Sequence, residues 1–183
     1  MVKSVMTTMF VITLFSCEGN FKKIQQLNTK DGVPFAVGKN IDLKYTDSGK
    51  VVTNLIASKL IDYRTLEFPY QEFPEGVEVH FWDKSKENIV TSDYAIRYDK
   101  TGIVDLRSNV VIVTSDSLTL EAEQLYWDQK NKWVFTDGPY RFVFKDGSYN
   151  DGGGLDSSED FKEVLSRKNK GVQIIDKTKI DGE

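Results

Sequence analysis

From Ile41 onward the chain alternates apolar and polar residues in short runs separated by five polar clusters: Thr46-Asp47-Ser48-Gly49, Asp83-Lys84-Ser85-Lys86, Asp99-Lys100-Thr101-Gly102, Asp128-Gln129-Lys130-Asn131 and Lys145-Asp146-Gly147. Alternation places every second side chain on one side of an extended backbone, and Asp, Asn, Ser and Gly tolerate the backbone angles of tight turns. Each cluster is therefore expected at a hairpin tip. Strands of this spacing with no helical period between them predict an antiparallel all-β domain, a sandwich, jelly roll or barrel, over residues 41–154. After Gly154 the pattern changes. Asp156 with Glu159 reads as a capping box, and Phe161, Val164 and Leu165 give the apolar side of a short helix stopped at Gly171. Residues 155–183 are thus expected to form a C-terminal helix and tail.

The strands also repeat. YAIRYDKTGIVDL (94–106) aligns with EQLYWDQKNKWVF (123–135) at an offset of 29, which places Ile96 on Leu125, Tyr98 on Trp127, Asp99 on Asp128, Val104 on Trp133 and Leu106 on Phe135. LIDYRTL (60–66) puts Ile61 and Tyr63 in the same places. Between these copies lie VEVHF (77–81), VVIV (110–113) and YRFVF (140–144), each behind a turn residue, Gly76, Asn109 or Pro139. The unit is a strand, a tight turn, a strand and a corner. Such a unit cannot bury its own apolar face, so neighbours must stack into an elongated β-structure with one continuous interior. Alternation assigns Val77, Val79, Phe81, Ile96, Tyr98, Val104, Leu106, Leu125, Trp127, Trp133, Phe135, Tyr140, Phe142 and Phe144 to that interior.

The front of the chain follows a different logic. Lys3 precedes an apolar stretch over residues 5–15 that has the length of a signal peptide and falls short of the roughly 20 residues of a membrane span. Leu14-Phe15-Ser16-Cys17 resembles a bacterial lipobox, in which the cysteine is lipidated and becomes the new N-terminus. Cys17 is the only cysteine, so a disulfide within the chain has no partner for it. The expected organisation is a lipoprotein signal peptide over 1–16, and an anchor and tether over 17–40, where Gly32, Pro34 and Gly38 interrupt any sustained period.

Composition narrows the function. A chain of 183 residues, 39% hydrophobic and 28% charged, suffices for one domain with a substantial core. Its 24 basic and 28 acidic residues are spread without a basic block, which argues against a nucleic-acid partner. Catalytic signals are sparse. His80 is the only histidine and alternates with Val79 and Phe81, so it is expected to point outward. No serine lies in a GxSxG motif. Asp93, Asp105, Asp128 and Asp137 leave a carboxylate pair open, although Asp128 sits in a turn where its side chain can bond backbone. Asp146-Gly147-Ser148-Tyr149-Asn150-Asp151 opens like a calcium loop, but Asp151 stands at the glycine position and Ser157 at that of the bidentate glutamate. Gly152-Gly153-Gly154 lacks the Lys-Ser or Lys-Thr of a phosphate loop and reads as a corner. No metal and no cofactor are expected.

The lipobox-like start, EFPEGVEVHFWD (72–83), SDYAIRY, RSNVVIV, LYWDQKNKWVFTDGPYRF and DGGGLDSSEDF (151–161) together resemble the LptC component of lipopolysaccharide export, in the form seen in Bacteroidetes-like bacteria. The similarity runs over about residues 41–161. It implies an OstA-like fold, a V- or C-shaped antiparallel β-jelly roll open along one side. Better-known members keep an uncleaved transmembrane helix where this chain has the lipobox-like cysteine. The resemblance implies transport without catalysis: lipopolysaccharide would be accepted from an inner-membrane ABC transporter and passed to a periplasmic bridge protein of the same fold. The chain would be periplasmic, held to the membrane by lipid on Cys17, and its C-terminal region would meet the bridge by strand addition. The candidate groove residues are Val79, Phe81, Ile96, Tyr98, Leu106, Leu125, Trp127, Phe135, Phe142 and Phe144. Ordinary core packing would use the same residues. Two readings from other classes stay open: a lipid-anchored carbohydrate-binding module with Trp82, Trp127 and Trp133 in a solvent-facing row, and a structural envelope lipoprotein.

Overall fold

The computed structural model describes residues 32–83 and 86–175. Two compact units divide the chain at Val33 and Pro34, and the second, which runs to Glu183, carries the fold. The signal peptide, Cys17 and most of the tether lie outside the described residues.

Fourteen strands are described, and every pairing is antiparallel. In chain order they are β1 (Ala36–Asp47), β2 (Lys50–Asp62), β3 (Tyr70–Phe73), β4 (Val77–Asp83), β5 (Lys86–Ser92), β6 (Tyr94–Tyr98) and β7 (Ile103–Val113). They continue with β8 (Thr119–Asp128), β9 (Trp133–Thr136), β10 (Tyr140–Val143), β11 (Tyr149–Gly152), β12 (Leu155–Ser158), β13 (Val164–Ser166) and β14 (Lys170–Val172). Four of them, β1, β2, β7 and β8, are long enough to serve two layers. In the first layer β4 pairs with residues 53–56 of β2, β5 with the end of β7, and β10 with the start of β8, followed by β11 and β14. In the second layer β3 pairs with the end of β2, β6 joins β3 to the start of β7, and β9 pairs with the end of β8, followed by β12 and β13.

Local backbone chemistry bends the long strands between the layers. Ser108 and Asn109 take positive φ angles of 60° and 50°, and the β7–β8 register slips there between Arg107 and Val110. Such a bulge turns a strand and increases its twist. Asn40 of β1 has a φ of 51°, a region that asparagine enters at less cost than most residues. The short strands change layer on this same side, at residues 74–76, 93, 137–139 and 153–154. The hairpin ends of both layers lie on the side away from the bends.

All five polar clusters named above join antiparallel neighbours, and Thr114 to Ser117 form a sixth turn between β7 and β8, closed by the Thr114 and Leu118 backbones. The inner faces of the two layers share one core. Phe73, Ala95, Leu106, Leu125, Val134 and Leu155 come from the second layer, and Val77, Val79, Val90, Ile112, Leu120, Tyr140 and Phe142 from the first. Fully burying one such large side chain stabilises the fold by about 1.5–3 kcal/mol.

Two segments depart from the sequence reading. No helix forms at residues 155–171; that stretch is β12, β13 and β14. Leu155 and Ser157 are buried and alternate with the half-buried Asp156 and Ser158, which is strand periodicity. The residues that read as a capping box do other work: Asp156 lies in β12 and pairs with Arg167 at 3.4 Å, and Glu159 accepts from Trp127 Nε1 at 3.0 Å. The second departure is the tether, whose last five residues belong to β1. Gly38 and Asn40 break the alternation there, and as an edge strand β1 is largely exposed, so its apolar signal is weak.

Candidate functional site: the groove between the layers

Apolar side chains meet between the layers and leave space there. A cavity of about 870 Å³ is lined on one layer by Leu118, Tyr140, Phe142 and Phe144, and on the other by Phe161 and Val164. Phe142 lies edge-on to Tyr140 at 5.3 Å and to Phe161 at 5.6 Å, so the rings form a wall without closing the space. Lys145, Asp116 and Asp146 add charge to this cavity's lining. A second cavity of about 230 Å³ has Phe73, Val79, Val90, Ala95, Leu106 and Trp127 among its lining residues, with Thr53, Gln71, Arg97 and Gln129 supplying polar groups. Across the layers Phe81 meets Trp127 with ring centroids 5.5 Å apart, and Trp127 Nε1 donates to Glu159 at 3.0 Å.

Seven of the ten candidate groove residues face this interior. Val79, Leu106, Leu125, Trp127 and Phe142 are buried, Phe81 packs against the core, and Phe144 stands at the larger cavity with 44% of its surface exposed. Three do not: Ile96, Tyr98 and Phe135 lie on the outer face of the second layer. Ile96 sits opposite Glu72 and Asp105, Tyr98 opposite Tyr70, and Phe135 opposite Tyr126, on which it stacks at 5.2 Å. Trp133, also assigned inward, pairs with Asp128 on the same outer face. The cause is a one-residue slip in the repeat. In the paired strands Arg97 faces Val104 as Trp127 faces Val134, so Arg97 corresponds to Trp127, and Ala95 rather than Ile96 corresponds to Leu125. Slipping by one residue exchanges the two faces of a strand. Ala95 and Arg97, overlooked because one is small and the other charged, are the inward residues of β6.

His80 lies between two carboxylates, with Nδ1 2.9 Å from Glu87 and Nε2 2.6 Å from Glu78, and these raise its pKa above the ordinary 6.5. Tyr94 donates to Glu72 at 2.8 Å; burial, and then that carboxylate, push its hydroxyl up to about 12. The carboxylates of the open acid-pair reading are each engaged separately. Asp105 accepts from Arg107 and Gln124, Asp93 from Asn109, and Asp137 from Arg167. Asp128 takes the Lys130 and Asn131 N–H groups of its own turn, which hold its pKa below the usual carboxylate value. Asp146 likewise accepts from Ser148 N–H. Among the described residues no group of three His, Cys, Asp or Glu side chains is placed to hold a metal ion. The three tryptophans do not form a row: Trp127 is interior, whereas Trp82 and Trp133 occupy outer faces of different layers.

Comparison with protein-family models gives no match, and comparison with curated proteins gives none.

Proposed function

We propose that this chain is a non-catalytic carrier in lipopolysaccharide export, a jelly roll open along the side of its hairpin ends, whose interior shields acyl chains during passage between membranes. The single observation behind this reading is the aromatic-walled cavity of about 870 Å³ continuous with the core at Phe142. Shielding about 0.8 kcal/mol of transfer free energy per CH₂ is what an acyl chain requires in water, and no proton transfer or bond cleavage need accompany it. In this reading Cys17 carries the lipid that holds the protein at the inner membrane, facing the periplasm. An ABC transporter delivers lipopolysaccharide, and a bridge protein of the same fold receives it. The short strands β13 and β14 each leave one edge without a strand partner among the described residues, which suits strand addition by the bridge.

The carbohydrate-binding reading draws on a different observation, the outer aromatics Tyr63, Tyr70, Tyr98, Tyr126 and Phe135, whose stacked and tilted contacts present rings away from the core. Depletion in cells separates the two. The carrier reading expects newly made lipopolysaccharide to accumulate at the inner membrane; normal delivery to the cell surface contradicts it.

A further inference from the structure

We propose that Arg97 makes the polar lip of the smaller cavity an anion site, holding the phosphate or carboxylate head group of an amphiphile whose chain enters the groove. This rests on the lipid-carrier reading. Arg97 is a charged side chain on an inner face, lying in register with Gln71 on β3 and Val104 on β7 and lining the cavity beside Trp127 and Gln129. Its guanidinium donates from Nη1 to Asp99 at 2.8 Å and to Gln71 at 3.3 Å, and from Nε to Gln129 at 3.4 Å. Nη2 makes no hydrogen bond among the described residues. An arginine has five N–H donors in a planar fork suited to two oxygens of one anion, so the present contacts orient it without saturating it.

The cavity below explains why the ligand would be an amphiphile rather than a free anion. Phe73, Val79, Ala95, Leu106 and Trp127 offer apolar contact and no charge. At about 230 Å³ it falls below the roughly 300–1,000 Å³ of sites that enclose whole ligands, so it fits a chain segment with its head left at the lip. The arginine itself is 38% exposed and shares its charge with Asp99, so a free anion would be held only by a screened contact. The larger cavity differs: its lining holds Lys145 together with Asp116 and Asp146, whose charges offset an attraction for anions.

The test titrates the full chain with three probes below their aggregation concentrations: dodecyl phosphate, the uncharged dodecyl maltoside, and inorganic phosphate. Dodecyl phosphate is expected to bind at least about tenfold tighter than the maltoside, as charge-assisted, bidentate contacts allow. Arg97→Gln should bring it to the maltoside's level, with an unchanged circular dichroism spectrum and thermal midpoint showing that the variant is folded. Arg97→Lys should recover part of the difference, and Asp99→Asn should tighten phosphate binding further. Equal binding of the two amphiphiles, or an Arg97→Gln variant that keeps the preference, overturns the anion site while the lipid groove stands. Displacement of dodecyl phosphate by an equal concentration of inorganic phosphate also overturns it, because the chain would then contribute nothing. Failure of both amphiphiles to bind overturns this inference and the carrier reading together.

Discussion

Phe81 on β4 and Trp127 on β8 meet across the interior with their ring centroids 5.5 Å apart, one from each layer. Strand pairing holds neighbours within a layer, but this contact ties the two layers near their hairpin ends, where no ladder among the described residues joins them. Phe81→Ala should therefore destabilise the fold by about 2–3 kcal/mol, somewhat less than for a fully buried phenylalanine. Trp127→Ala should cost more, since it also removes the hydrogen bond to Glu159. Urea unfolding of both variants and the double variant checks this. Strictly additive losses would mean that the rings do not support one another.

Gly152 lies opposite Tyr140 on the neighbouring strand, and a Cβ there would stand 2.4 Å from the tyrosine ring. The ring is buried and cannot swing aside freely. Gly152→Ala is expected to lose about 1–3 kcal/mol through overpacking. Tyr140→Leu in the same background should return part of that loss, read as a partial recovery of the thermal midpoint.

His80 accepts no compromise between its two neighbours. A neutral imidazole donates from one nitrogen only, so facing Glu78 and Glu87 together requires the charged ring. Its folded pKa is raised above 6.5, so its contribution to stability is fully present below about pH 6.5 and is lost as pH rises through the folded value. The stability gap between the native chain and His80→Gln should be widest in mild acid and narrow as the solution becomes alkaline. An NMR titration that places the imidazole pKa at or below 6.5 contradicts the arrangement.

Turns were the most legible feature of the sequence, because Asp, Asn, Ser and Gly act locally: Asp128 bonds the very N–H groups of its own turn. Facing direction was legible only where the apolar pattern was unbroken. Val77, Val79 and Phe81 announce their side of β4, as Tyr140, Phe142 and Phe144 do around β10. In β6 the usual pattern is inverted: the apolar Ile96 and Tyr98 point outward, whereas the small Ala95 and the charged Arg97 point inward, so alternation marks the wrong side. The C-terminal segment hides its strand character for a related reason. Leu155 and Ser157 are the inward residues there, and a buried serine that bonds the Ser158 and Glu163 carbonyls carries no hydropathy signal.

A photoreactive residue placed in turn at Phe142, Arg141, Ala95 and Ile96 samples both faces of one strand in each layer. In living cells, crosslinks to lipopolysaccharide are expected from the inward positions 142 and 95 and none from 141 and 96, with all four proteins folded. Labelling from 96 and 141 without labelling from 142 and 95 would contradict this, placing any glycolipid on the outer faces and leaving the groove as ordinary core.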